Sequence, residues 1–160
     1  MLRILFSFTL VGIFFFVPFG EAFALRTMDF SKQSLIEADL SNQDLHGVTF
    51  NLTNLLKANL SGSNLEGASL FRAKLQEADL SNANLTAATL DSSLLVGTNL
   101  ENAVLENSFA FDTYFENVNI IGTDFTNVLI DNEQFSSLCA VAEGRNSFTG
   151  RNTRETLGCD

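Results

Sequence analysis

Every fifth residue from Phe30 to Phe135 is Leu, Phe or Ile, Ala110 alone excepted. Neither regular element buries such a set. At about 100° per residue, successive members lie about 140° apart around an α-helix, and an odd spacing throws them onto alternate faces of a strand. A chain that buries all of them must turn every five residues. Four such segments close a coil of roughly twenty residues, and stacked coils pair their backbones at about the 4.7 to 4.9 Å spacing of β-strands around one apolar column.

With the multiples of five as pentad centres, the residue two before the centre is small, as at Ala38, Ala58, Ser63, Ala68, Ala73, Ala78, Ala83, Ala88, Ser93 and Ala103. Small side chains there let the corner pack inward. The residue just before the centre is rich in Asp, Asn, Ser and Thr, which tolerate turns and bond nearby backbone (Asp39, Asp44, Asn59, Asn64, Asp79, Asn84, Asn99). The two after the centre are polar or Gly, as in Ser61-Gly62, Glu66-Gly67 and Ser81-Asn82. These three positions are expected to face solvent.

The pattern A(D/N)LXX stands unaltered at Ala38-Asp39-Leu40-Ser41-Asn42, Ala58-Asn59-Leu60-Ser61-Gly62, Ala78-Asp79-Leu80-Ser81-Asn82 and Ala83-Asn84-Leu85. It resembles the pentapeptide-repeat family over about residues 28 to 135. The resemblance implies an all-β solenoid, a right-handed quadrilateral β-helix of about five coils of four pentapeptides, with the centre and its second-preceding residue inside. Handedness and square section come from the resemblance, not from the period.

Stacking at i and i+20 sorts the interior into columns. One reads Leu40, Leu60, Leu80, Leu100, Ile120, and another Leu35, Leu55, Leu75, Leu95, Phe115, Phe135. Outside, Glu37, Lys57 and Glu77 are expected to stack as an alternating ladder that helps fix register, exposed pairs contributing only about 0 to 1 kcal/mol. At Ser108-Phe109-Ala110-Phe111-Asp112 the centre is Ala with Phe on both sides, and a local bulge that turns one Phe inward is expected.

The repeat is read as residues 25–135 and its cap as 136–160. Past the repeat, Asp131 or Asn132 can start a helix running through about Ala142 and stopping at Gly144, and Asn152 or Thr153 a short second one ending at Gly158. An open β-helix end needs covering, since its unpaired backbone groups would template aggregation. Cys139 and Cys159, the only cysteines, both lie in this tail. In an exported chain they point to a disulfide closing a loop of about twenty residues, with free thiols or a metal site as rivals. The tail residues Cys139-Ala140, Gly144-Arg145-Asn146, Thr149-Gly150, Thr153-Arg154 and Leu157-Gly158-Cys159 resemble the ending of pentapeptide-repeat proteins of the cyanobacterial and chloroplast thylakoid lumen. This narrower resemblance implies a disulfide-closed helical cap and no assigned catalytic activity.

At the other end, Arg3, the apolar run Ile4 to Val17, Pro18, Gly20 and Ala22-Phe23-Ala24 read as an export signal, residues 1–24, cleaved after Ala24. The run is shorter than the roughly 20 residues a spanning helix needs, so no stable membrane insertion is expected after cleavage. A single Arg with no Arg-Arg pair fits the general secretory route. The expected compartment is a thylakoid lumen or periplasm.

Removing Glu21 with Arg3 leaves the net charge at −10, which argues against direct nucleic-acid binding. The tail arginines Arg145, Arg151 and Arg154 are expected to bond carbonyls at the last coil or to face a partner. The only histidine, His46, is expected one coil from Glu66, on the surface and with no nucleophile or pocket. No phosphate-cradling glycine loop, Gly-x-Ser-x-Gly elbow or spaced cation loop occurs, so no catalytic residue, metal or cofactor is assigned.

Stacking does gather apolar side chains on one outer face: Ile36, Leu56, Leu94, Val96 and Tyr114. A contiguous apolar patch of this kind marks a contact with a protein partner or a second copy. The sequence therefore reads as a non-enzymatic exported interaction scaffold. The alternative is a DNA mimic that binds a DNA-handling enzyme such as gyrase, a role the resemblance brings in and the acidic rod suits.

Overall fold

Each pentad forms one short extended segment and one turn. The computed structural model describes residues 28–159, so the export-signal reading of residues 1–24 lies outside the described part. Within it, the residue before each centre pairs in parallel with the residue twenty positions on. Asp29 pairs with Thr49, Thr49 with Ser69, Ser69 with Thr89, and Thr89 with Phe109. Three further series begin at Ser34, Asp39 and Asp44. Where pairing is longest the segments become strands: β1 (Leu94–Val96) pairs with β3 (Tyr114–Glu116), and β2 (Phe109–Ala110) with β4 (Leu129–Ile130), both parallel. Each twenty-residue stretch is thus one level stacked on the next.

The turn that follows each centre explains the period. The amide three residues after the centre donates to the centre's carbonyl, as in Ala78 to Leu75 and Ala83 to Leu80 at 3.0 and 3.1 Å. Such a turn puts its third residue at positive φ, and Lys57, Glu77, Asn82 and Ala87 stand there at 55 to 58°. Asn and Gly suit this region; the other side chains are held in it by the backbone bonds on either side.

Inside, the centres from Leu35 to Phe125 are buried, Ala110 included, and so are most of the small residues two places before them. The column Leu40, Leu60, Leu80, Leu100, Ile120 is buried throughout. Phe30 stacks on Phe50 at the N-terminal end, with ring centroids 5.4 Å apart. Outside, amide ladders reinforce the stack: Asn64 Nδ2 donates to Asp44 Oδ1 and Asn84 Nδ2 to Asn64 Oδ1, both at 3.1 Å.

Four expectations need correction. No bulge forms at Ala110, which stays at the buried centre while Phe109 and Phe111 both point out. Its neighbours keep register through the Phe109 amide to the Ala88 carbonyl and the Leu129 amide to the Ser108 carbonyl. A one-residue slip would exchange the inner and outer faces of that pentad. Phe135 ends no column: it is half-buried in α1 (Asn132–Val141), which begins before the pentad is complete. Asp131 and Asn152 stand at the N-cap positions of α1 and of α2 (Thr153–Leu157), but neither side chain makes a capping bond. Asp131 Oδ2 instead accepts the Asp112 amide at 2.6 Å, and Asn152 Nδ2 donates to Glu155 Oε1. Asp124, placed just before a centre and expected in solvent, is fully buried because the tail covers it.

Candidate interaction surface and C-terminal cap

The turn geometry sends the residue after each centre outward, so equivalent residues of successive levels form a row. Ile36, Leu56 and Val96 belong to one row, interrupted by Gln76; Leu94 and Tyr114 belong to the next, as partners in the β1–β3 register. Ile36 and Tyr114 are exposed, whereas Leu56, Leu94 and Val96 are half-buried. The Tyr114 hydroxyl donates to Glu116 Oε2 at 3.0 Å, and this bond followed by the carboxylate's charge raises the tyrosine pKa.

A neighbouring group escaped the sequence reading. Leu52, Phe71, Phe109, Phe111 and Leu129 are all exposed around the column of Phe50, Leu70 and Leu90. Applying the outward-position rule to that column, as was done for the column of Leu35, finds each of them. The apolar surface therefore turns a corner and spans two adjacent sides.

The cap is tied to the stack by a buried asparagine and by a charged cluster. Asn146 Nδ2 donates to the carbonyls of Asn102, Ala103 and Gly122 at 2.9 to 3.1 Å, and its Oδ1 accepts the amides of Phe148 and Thr149 at 2.9 Å. Arg151 pairs with Glu106 Oε2 at 2.7 Å and with Asp124 Oδ2 at 3.3 Å. Burial pushes the Asp124 carboxyl up, but the hydrogen bonds that its Oδ1 accepts from the Thr126 hydroxyl and amide, with the nearby Thr149 hydroxyl and the Arg151 charge, outweigh it and hold its pKa low. Arg151 and Arg154 thus depart from the expected bonds to carbonyls of the last coil. Arg151 serves carboxylates rather than carbonyls, and Arg154 donates to the Cys139 carbonyl of α1 instead of the last repeat level. Cys139 and Cys159 are joined in a disulfide with Cα atoms 5.6 Å apart, excluding the rival readings of free thiols or a thiolate metal site.

His46 and Glu66 do occupy adjacent levels, since the Gly47 amide donates to the Glu66 carbonyl at 2.9 Å. His46 is half-buried and Glu66 exposed. Among the described residues no group of three or more His, Cys, Asp or Glu comes together as a metal site, and no helix is long and apolar enough to cross a membrane. An open groove of about 600 Å³ runs past Asn42, Ser61, Asn64, Ser81 and Asn84, with Phe148 of the cap at its lip. The Glu37–Lys57–Glu77 ladder shows a Lys57–Glu77 contact of 3.6 Å between exposed side chains.

Parallel stacking every twenty residues, a leucine interior and left-handed turn residues define a class of pentapeptide solenoids, and comparison with known proteins agrees. The family model Pentapeptide repeats matches in eight copies over segments running from residue 34 to residue 132. The chain belongs to the pentapeptide-repeat family. Within it, the chain resembles lumenal members. A solved pentapeptide repeat protein from the thylakoid lumen of Arabidopsis thaliana is 40% identical, with 83% of this chain and 86% of that one covered and a TM-score of 0.64. The chloroplastic Thylakoid lumenal 15 kDa protein 1 of the same plant is 47% identical over 49 residues, a match that takes in 31% of this chain and only 22% of that relative. QnrB1, a plasmid-mediated fluoroquinolone resistance protein, is 17% identical at a TM-score of 0.30, with 69% of this chain and 66% of that one covered, which carries no argument about function.

Proposed function

We propose that this chain is a non-enzymatic, exported protein-interaction scaffold of the thylakoid lumen. Its form is a right-handed quadrilateral β-helix of about five coils that runs to Ile130, closed by a helical, disulfide-bonded cap that begins with α1 at Asn132. Family membership and the lumenal relatives support the form and the compartment. The observation that carries the role is the apolar row Ile36, Leu56 and Val96 with Leu94 and Tyr114 beside it, outward on a rigid stack. A soluble protein keeps such a patch where something covers it.

The test is capture of lumenal proteins on the immobilised oxidised chain. Leu56→Glu combined with Val96→Glu abolishes capture and leaves the far-ultraviolet β signal unchanged; capture that survives both charges overturns this face.

A second reading, DNA mimicry, draws on the sides built around Leu40 and Leu45. There the described repeats carry Asp39, Asp44, Glu66, Asp79 and Glu101 and no Lys or Arg, while Glu106 and the buried Asp124 are already paired with Arg151 of the cap. Recovery of the unprocessed chain from the cytosol in complex with a DNA-handling enzyme such as gyrase would put this reading first.

A further inference from the structure

The corner between the two apolar sides is ordered by charge along the stack. Its residues 31–34, 51–54, 71–74, 91–94 and 111–114 are superposed by the pairs Ser34–Asn54, Asn54–Lys74, Lys74–Leu94 and Leu94–Tyr114. The first three levels of this corner carry Lys32, Arg72 and Lys74 and no carboxylate. The next two carry Asp91 and Asp112 and no base. Among the described residues none of the three bases enters an ion pair within the chain, although the stack as a whole is acidic. Leu52, Phe71 and Phe111 stand exposed between the charges.

We propose that this corner is the contact surface between two copies of the chain lying side by side in antiparallel orientation. A two-fold axis between the third and fourth levels sets the level of Arg72 and Lys74 against the level of Asp91 in the second copy, and by symmetry the reverse. The same axis brings Leu52 opposite Phe111 and Asp112, and Lys32 opposite Asp131 at the start of the cap. One surface thus satisfies itself, which is the requirement of an isologous interface. A parallel arrangement would set bases against bases, and an anionic lipid surface would meet the acidic levels of the corner as well as the basic ones. The first and fifth levels are roughly 19 Å apart, a short contact, so the dimer is reversible and weakened by salt.

The inference rests on the scaffold reading but can fail separately. Sedimentation velocity of the oxidised chain is expected to show a doubled mass at high concentration that falls to that of the monomer on dilution or in high salt. Arg72→Glu with Lys74→Glu, and separately Asp91→Lys with Asp112→Lys, each give monomer, and a one-to-one mixture of the two variants restores the doubled mass. Lysine fits the left-handed position of Asp112, since Lys32 and Lys57 hold the same turn position at φ 62° and 58°. Circular dichroism and a thiol count verify the fold of each variant; where one fails them, salt dependence of the wild-type mass decides. A wild type monomeric at every concentration, a dimer indifferent to salt or to either reversal, or a mixture that stays monomeric overturns the proposal. So does a monomer that cosediments with phosphatidylglycerol vesicles. A monomer that still captures lumenal protein through Ile36 and Val96 removes the dimer and leaves the scaffold.

Discussion

A buried side chain two places before a pentad centre has little room and two carbonyls within reach, that of the preceding centre, which the Ser63 hydroxyl uses at 2.6 Å, and that of the level before it. Thr98, Thr113 and Thr123 use the latter, their hydroxyls donating to the carbonyls of Leu75, Leu90 and Leu100 at 2.7 to 2.8 Å. Ser93 and Ser108 occupy equivalent positions, yet their hydroxyls find no partner among the described residues. A buried hydroxyl without a partner is a cost, whereas a paired one contributes. Ser93→Ala should therefore leave stability unchanged or raise it, while Thr98→Val should lower it by about 0.5 to 1.5 kcal/mol, both read from urea denaturation midpoints. The preference for small residues at this position was legible in the sequence because alanine dominates it. The inter-level hydroxyl bond was not, because it depends on which atoms twenty-three residues apart in sequence meet in space. The same limit explains Ala110: composition suggested that a flanking Phe would fill the centre, but register is held by backbone pairing on both sides rather than by that side chain.

The cap illustrates what local rules capture and what they miss at the scale of elements. Turn and capping preferences located both helices to within a residue or two, since Gly158 closes α2 in the left-handed conformation at φ 76° and α1 ends at Val141 with Ala142 as its C-cap. They did not reveal how the cap is attached, because Asn146, Arg151, Glu106 and Asp124 are far apart in sequence and joined only by folding. Asn146 spends its amide on five backbone groups, so Asn146→Ala leaves several buried groups unpaired and should lower stability by about 2 to 4 kcal/mol. Asp124 adds a pH dependence whose sign follows from its depressed pKa. Folding favours the ionised carboxylate, so its contribution is complete above the unfolded value of about 3.9 and is lost as pH falls through the lower folded value. Acid titration followed by amide exchange in residues 143–153 should show the cap loosening below about pH 4. Asp124→Asn should abolish that pH dependence while leaving the leucine levels protected.

For the whole molecule, the decisive property is that contacts run mainly between neighbouring levels, as the twenty-residue pairing shows. Solenoid stability is then close to a sum of level and interface contributions, and damage at one end need not travel to the other. The sequence showed this plan plainly, because a five-residue period admits few alternatives. It showed only half of the apolar surface, because Phe71, Phe109 and Phe111 flank a different column from Ile36 and Val96. The disulfide tests the plan most directly. It joins α1 to the residue beyond α2 across a separation of 20 residues, and closing a loop of that size restricts the unfolded cap by about 3 kcal/mol. If the levels are nearly independent, reducing the bond should increase amide exchange across residues 132–159 and leave protection of the levels from Leu40 to Leu85 unchanged. Exchange rising uniformly along the chain would mean instead that the cap and the leucine interior unfold as one unit. In that case, cleaving the bond would reach the apolar corner and weaken any contact made there, making the redox state of the cap a control on assembly. Hydrogen exchange of the oxidised and reduced chain, resolved by segment, separates a local lid from a cooperative whole.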